Sequence, residues 1–288
     1  MKIPETENTL QAYTSQTLGK LGIRPKKALG QHFLISNKVR DRIIDMILPV
    51  GGMTLIEIGG GLGALSVPLS ELASGFVVYE LDNNLREYLD STLKSYNPKT
   101  IVNGDFLKEY PPYRLPDRGF KIIGNIPYQI TAPILERIYD AESLPMETVL
   151  MVQREVAERI AAPPGIKLRG RLTLWCEFHA EVIAGFNVRS TMFYPSPEVD
   201  SRVIKLKTRG KLPLEPDLKR SFFDMIKTSF SMKRKTIVNN LERWKSGFEK
   251  GAIGSMLREL KISPTKRAEE LSLEEFIVIF NTLSNRSF

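Results

Sequence analysis

Hydrophobic positions in the first two thirds of the chain fall into short apolar runs separated by amphipathic stretches. MTLIEI (53–58), GFVVYEL (75–81), KTIVNGD (99–105), FKIIGN (120–125) and ETVLMVQ (147–153) read as buried strands. Helical patterns lie between them, from Leu62 to Ala73, over 84–95, and over APILERIY (132–139). Upstream, Ile43, Ile44, Ile47 and Leu48 form an apolar stripe behind Ser36, a residue suited to cap a helix. Strands that alternate with helices predict an α/β fold with a mostly parallel sheet covered on both faces. EVIAGFNV (181–188) and SRVIKLKT (201–208) flank a proline-rich loop and are expected to pair antiparallel at one end of that sheet.

After Thr208 the pattern changes. RGKLPLEPD (209–217) has the composition of a linker. Four helical patterns follow: LKRSFFDMIKTSF, KTIVNNLERW, IGSMLREL and SLEEFIVIFNTL. The expected organisation is an α/β domain over 1–208 and a small all-helical domain over 209–288. The extension over 1–25 offers no compositional reason for a fixed structure.

Composition narrows the function classes. Of 288 residues, 42% are hydrophobic, enough for a core without covalent staples. The single cysteine, Cys176, excludes a disulfide framework and a thiolate zinc cluster, and reads as a small buried residue within LTLWCEF. No metal site is expected. No apolar run approaches the roughly 20 residues that cross a bilayer, and the first residues lack the apolar centre of a secretory signal. A cytoplasmic monomer without membrane contact is the expectation. The net charge is +8 and unevenly placed. Residues 1–200 hold 22 basic and 23 acidic side chains, whereas residues 201–288 hold 19 and 10. That asymmetry points to a polyanionic partner.

Candidate chemistry begins at IEIGGGLGAL (56–65), a glycine loop between the first strand and its helix. Gly59 and Gly61 let the backbone approach a ligand closely. Together with Ala64 they also fit the dinucleotide pattern G-x-G-x-x-G/A, so a nicotinamide cofactor stays open on this loop alone. Glu80 closes the second strand, where a carboxylate can accept both hydrogen bonds of a ribose diol. Asp105 ends the third strand and can accept from an adenine amine.

The decisive stretch is Asn125-Ile126-Pro127-Tyr128, directly after the fourth strand. The amine of adenine is a poor nucleophile because its lone pair is delocalised into the ring. The Asn125 side-chain oxygen and the Ile126 carbonyl can accept its two hydrogens. Pro127 stiffens the turn, and Tyr128 offers a π face to an extruded base. No tuned general base is required, which suits a chain with only His32 and His179.

These residues occur within an ordered set of landmarks. They are KKALGQHFL (26–34), IEIGGGLGALS (56–66), VVYELD (77–82), NGD (103–105), GNIPYQI (124–130), VQREVAERI (152–160), GRLTL (170–174), MFYPSPEVDS (192–201), KRKTIVNNL (233–241) and RAEELSLEEF (267–276). The set resembles the KsgA/RsmA group of ribosomal RNA adenine dimethyltransferases, which includes the eukaryotic Dim1 proteins, with the Erm enzymes as more distant relatives. The resemblance implies a Rossmann-like S-adenosylmethionine-dependent methyltransferase domain with a helical RNA-binding appendage. It implies that His32 and Leu34 line the cofactor pocket and that Gly59 and Gly61 pack on the methionine part. Glu80 would hold the ribose of the cofactor and Asp105 its adenine. Asn125, Pro127 and Tyr128 would form the target-base site, with Phe193 sandwiching the adenine against Tyr128; from the residues alone, Phe193 reads as a core aromatic.

Three positions depart from the family pattern. His32 stands where many relatives carry asparagine, Gly60 where proline is common, and Gln129 where asparagine is common. Gly60 is expected to loosen the loop. For RNA contact the candidates are Lys233, Arg234 and Lys235, and Arg202 with Lys205 and Lys207, expected to share one face of a strand. The long C-terminal module favours small-subunit over large-subunit ribosomal RNA as substrate. The competing readings are an Erm-like enzyme acting on large-subunit RNA and a ribosome-assembly factor whose catalysis is incidental.

Overall fold

The computed structural model describes residues 9–96, 100–111, 119–244 and 251–285. Its elements in chain order are α1 (Thr9–Leu21), β1 (Phe33–Leu34), α2 (Asn37–Ile47), β2 (Thr54–Ile58), α3 (Ser66–Leu72), β3 (Gly75–Tyr79), α4 (Asn83–Leu93), β4 (Ile101–Asn103) and α5 (Phe106–Glu109). They continue with β5 (Phe120–Asn125), α6 (Thr131–Tyr139), β6 (Glu147–Gln153), α7 (Arg154–Ile160), α8 (Arg171–His179), β7 (Ala180–Val188), β8 (Phe193–Tyr194) and β9 (Ser201–Thr208). The last four are α9 (Pro216–Ser229), α10 (Ile237–Leu241), α11 (Ala252–Glu259) and α12 (Leu273–Asn285).

Among the described residues the main sheet has seven strands in the order β4-β3-β2-β5-β6-β9-β7. β2 pairs in parallel with β3 and with β5, β3 with β4, and β5 with β6. β9 runs antiparallel to β6 and lies next to β7, so the two late strands are neighbours as their patterns predict. The chain winds outward from β2 to β4, then returns to lay β5 against the other side of β2. That reversal opens a crevice above the carboxyl ends of β2 and β5, the usual ligand position in an open α/β sheet. Ile47, Leu55, Phe76, Ile123, Val149 and Val203 belong to one buried cluster, which joins the central strands to α2.

The caps follow from the local sequence. The Ser36 hydroxyl accepts from the Val39 N–H at 3.4 Å, and Asp82 caps α4 through the Asn84 N–H at 3.1 Å. The helix expected from Leu62 starts only at Ser66, because the intervening residues are spent on glycine turns. Lys99, the expected first residue of the third strand, lies outside the described residues.

One open point is answered, and one expected boundary differs. The extension before Lys26 contains α1, an ordered helix with Leu10, Tyr13, Thr14, Thr17 and Leu18 on its buried side. Their spacing is helical, but the two threonines disguised the apolar stripe. α1 stops at Gly22, where the Ile23 N–H reaches back to the Leu18 carbonyl at 3.0 Å. The single boundary at 208/209 differs from the structure. Contacts divide the chain into one unit of residues 1–157 and 183–208 and another of residues 158–182 and 209–288. α8 belongs with the helical unit because Leu174 and Phe178 are packed in its core, beside Phe222, Met225 and Phe280. Cys176, on the same helix, is fully buried.

Candidate functional site

The crevice over β2 and β5 is a pocket lined by His32, Leu34, Gly59, Gly61, Glu80, Asp105, Asn125 and Pro127. Separate segments converge there because each follows the carboxyl end of a parallel strand or crosses above it.

At the end of β2, Gly59 has φ 80° and a Cβ built on it would stand 2.9 Å from the Asn125 carbonyl oxygen. Only glycine lets the two strand ends meet so closely. Gly60 is tight in a different way. A Cβ there would meet Val78 at 2.6 Å and Leu89 at 2.7 Å. The expectation that Gly60 loosens the loop is therefore overturned, since close packing against β3 and α4 holds this position.

Glu80 is buried, and its two oxygens accept from the Gly61 N–H at 2.8 Å and the Asp82 N–H at 2.9 Å. Burial raises its carboxyl above the usual carboxylate range. A carboxylate offers about four acceptor positions, so these bonds leave capacity for a ligand. Asp105 spends one oxygen on the Leu107 N–H at 3.0 Å, capping α5, and so fixes its own loop beside the pocket.

The turn after β5 ties three segments together. The Asn125 Nδ2 donates to the His32 carbonyl at 3.1 Å, which assigns the amide orientation and leaves Oδ1 as an acceptor. The His32 Nδ1 lies 2.7 Å from the Pro195 carbonyl and donates to it. The His32 ring stacks on Tyr128 with centroids 6.1 Å apart and planes within 17°. The Tyr128 hydroxyl is fixed 2.6 Å from the Ser201 Oγ. Burial raises the Tyr128 phenol, with the Ser201 bond opposing.

Phe193 stands apart from this group. It pairs with Leu34 across the β1–β8 ladder, is 3% exposed and belongs to the core cluster. This placement matches the core-aromatic reading of the residue; neither Phe193 nor Tyr128 is among the pocket-lining side chains.

Several lining residues escaped the sequence reading. Glu57, on β2, is 1% exposed, and its Oε2 has no hydrogen-bond partner among the described residues. Burial pushes its carboxyl up to about 8. The available signal was an acid inside an apolar strand, TLIEI. Leu10, Tyr13 and Thr14 of α1 also face the pocket. The Tyr13 hydroxyl bonds the Tyr88 hydroxyl and donates to the Leu62 carbonyl at 3.4 Å, holding α1 to the glycine loop.

The basic candidates separate. Lys233, Arg234 and Lys235 are exposed in the turn before α10. Lys205 instead pairs with Glu147 at 2.9 Å and donates to the Met46 carbonyl at 3.0 Å. Arg202 lies three residues away on β9, so strand alternation puts it on the opposite face from Lys205 and Lys207. The expectation of one shared basic face is therefore corrected.

Comparison with known proteins places this architecture. Residues 22–285 match the family model for ribosomal RNA adenine dimethylase. The chain is 39% identical over 280 residues to ribosomal RNA small subunit methyltransferase A of Bacillus cytotoxicus, covering 94% of this chain and 95% of that protein. The Bacillus mycoides protein of the same name is 37% identical over 278 residues, with the same coverage. Among solved structures, a dimethyladenosine transferase from Plasmodium falciparum matches with a TM-score of 0.74 and 26% identity, covering 88% of this chain and 98% of that one. The 23S rRNA methyltransferase ErmE matches with a TM-score of 0.70 and 25% identity, covering 88% and 100%. The glycine loop, the acidic strand ends and the Asn125 turn thus sit in a Rossmann-like methyltransferase fold, and the chain belongs to the ribosomal RNA adenine dimethylase family.

Proposed function

We propose that the protein transfers methyl groups from S-adenosylmethionine to N6 of two adjacent adenosines in the 3′-terminal hairpin of small-subunit ribosomal RNA, giving N6,N6-dimethyladenosine. In this reading it works in the cytoplasm as a monomer, without a metal, during assembly of the small subunit. The observation that carries the reading is the fixed amide of Asn125, whose free oxygen shares one pocket with Glu80 and Asp105.

The pocket residues fit the cofactor. Glu80 would take the ribose hydroxyls on the lone pairs its backbone bonds leave open. Asp105 would accept from the adenine amine of the cofactor. The orphaned Oε2 of Glu57 is a buried acceptor suited to the α-ammonium of the methionine end. His32, Leu34, Gly59 and Gly61 would supply the walls. When bound, S-adenosylmethionine supplies an electrophilic methyl group on a sulfonium.

The protein's part is to orient the amine. Asn125 Oδ1 and the Ile126 carbonyl would accept the two N6 hydrogens, turning the nitrogen lone pair out of the ring plane and toward the methyl group. Tyr128, tethered by Ser201, would hold the extruded base by its face. Phe193 would back this surface from the core, with its ring covered. The proton leaves to solvent after transfer, so no residue needs a pKa near neutrality. Lys233, Arg234, Lys235 and Arg202 would bind RNA phosphates, the contacts that fix register without reading sequence.

The test is transfer of labelled methyl groups to immature small-subunit particles, followed by mass spectrometry of the nucleosides. Dimethyladenosine at two neighbouring positions is expected. No label, beside an active control enzyme, overturns the proposal. Label confined to large-subunit RNA replaces it with the Erm-like reading.

A further inference from the structure

A second cleft adjoins another face of α1. It is lined by Ser15, Leu18, Gly19, Gly22 and Arg24 on one side and by Tyr194 on the other. We propose that this cleft holds the nucleotide that neighbours the target adenosine, with its base stacked on the Tyr194 ring and its phosphate beside Arg24. The proposal rests on the reading of the chain as an RNA adenine methyltransferase and adds to it a subsite for the flanking residue.

Four observations converge. First, Tyr194 is 50% exposed while its neighbour Phe193 is 3% exposed. Alternation along β8 sends the two rings to opposite faces, so Phe193 serves the core and Tyr194 is left as a bare aromatic platform. Second, the opposite wall is open. A Cβ added at Gly19 or Gly22 would meet no atom within 4 Å. Third, a short path of contacts links Tyr194 to Tyr128. The residue after Tyr194, Pro195, accepts the His32 Nδ1 bond at 2.7 Å, and His32 stacks on Tyr128. Fourth, the local charge suits a phosphate. No acidic residue occurs between Glu7 and Asp41, whereas Lys20, Arg24, Lys26, Lys27, Lys38 and Arg40 do. Lys26 is paired with Asp82 at 2.9 Å, and Arg24 is exposed on the cleft itself.

The chemistry follows from extruding one of two adjacent bases. Drawing the target adenine onto Tyr128 unstacks its neighbour, whose apolar faces then need a partner. An exposed tyrosine ring supplies one with little regard to base identity, and an arginine beside it takes the connecting phosphate.

The experiment uses the full chain and two readouts. Steady-state methylation of small-subunit particles gives KM and kcat for wild type, Tyr194→Ala, Tyr194→Trp and Gly19→Leu. In parallel, a short single-stranded RNA with the fluorescent base aminopurine in place of the neighbouring adenine reports stacking through quenching. Tyr194→Ala is expected to raise KM about tenfold and to abolish quenching. Cofactor affinity and kcat should stay within about twofold. Tyr194→Trp should restore both readouts, and Gly19→Leu, whose Cβ meets no atom within 4 Å and whose side chain projects from the open wall, should lose them. Unchanged KM and quenching in Tyr194→Ala, or failure of tryptophan to rescue, overturns the subsite. If wild type methylates nothing yet quenches in a Tyr194-dependent way, the enzymatic reading falls and the subsite stands.

Discussion

At Asn125 the two ends of one amide have separate duties. The nitrogen is committed to the His32 carbonyl, and the oxygen is left as an acceptor on a residue that lines the pocket. Removing the side chain deletes the acceptor for the target amine without touching Glu80 or Asp105. Asn125→Ala is therefore expected to lower the rate of methyl transfer by about 10²–10³-fold, the usual cost of one preorganised polar group. Calorimetric cofactor affinity should change little, and an equal loss of both would refute the assigned role. Glu57 yields a second residue-scale prediction. Its carboxyl is held up at about 8 in the folded protein, against 4.5 for a free glutamate. Between those values the folded state keeps a proton that the unfolded chain has released, so stability falls as pH rises through that window. Glu57→Gln escapes this loss. Its melting temperature should exceed that of wild type by a margin that widens from pH 5 to pH 8, and parallel curves would contradict the buried-acid account. If Glu57 takes the methionine ammonium, cofactor binding at pH 7 should release a proton from wild type and none from Glu57→Gln. Calorimetry in two buffers of different ionisation enthalpy measures that difference.

Among the elements, α2 is anchored by charge as well as by its apolar stripe. Lys121 and Lys205 donate to the Ile47 and Met46 carbonyls at its C-terminal end, at 2.9 and 3.0 Å. That is where positive charge favours a helix. Glu147 lies between them, 2.7 Å from Lys121 and 2.9 Å from Lys205. Burial opposes its ionisation, but the two ammoniums prevail and hold its carboxyl below the usual range. The contribution to stability is thus complete above the unfolded value and lost as pH falls through the lowered folded value. Glu147→Gln leaves two partly buried ammoniums against each other and should cost about 3 kcal/mol at pH 7. Urea unfolding should show the cost shrinking below pH 4. None of this was legible from β9 alone, where Lys205 looks like one of several basic residues free for RNA. Its partners are more than 50 residues away in the chain.

At the scale of the whole molecule, the excess positive charge of residues 201–288 includes the exposed turn at 233–235. Replacing Lys233, Arg234 and Lys235 with glutamine should weaken RNA binding uniformly across sequences. The salt dependence should flatten by about one unit of slope for each phosphate contact removed. Cofactor affinity should be unchanged; an unaltered salt slope in filter binding would exclude this turn from the RNA surface. Net charge also misled, because averaging residues 1–200 to near neutrality hid the acid-free stretch from 8 to 40.

The sequence by itself determined the alternation of strands and helices, the glycine loop, the acidic strand ends and the Asn125 turn. These are local patterns, set by periodicity of two or 3.6 and by turn chemistry within a few residues. Tertiary structure decided the rest. It made a helix of Thr9–Leu21 because Leu10, Tyr13 and Leu18 find Phe33, Leu62 and Leu85 to cover them. It gave α8 to the helical unit, buried Phe193 while baring Tyr194, and left the Glu57 Oε2, in the pocket lining, with no hydrogen-bond partner among the described residues. Each of these outcomes depends on what lies across a packed interface, and no window of neighbouring residues carries that information.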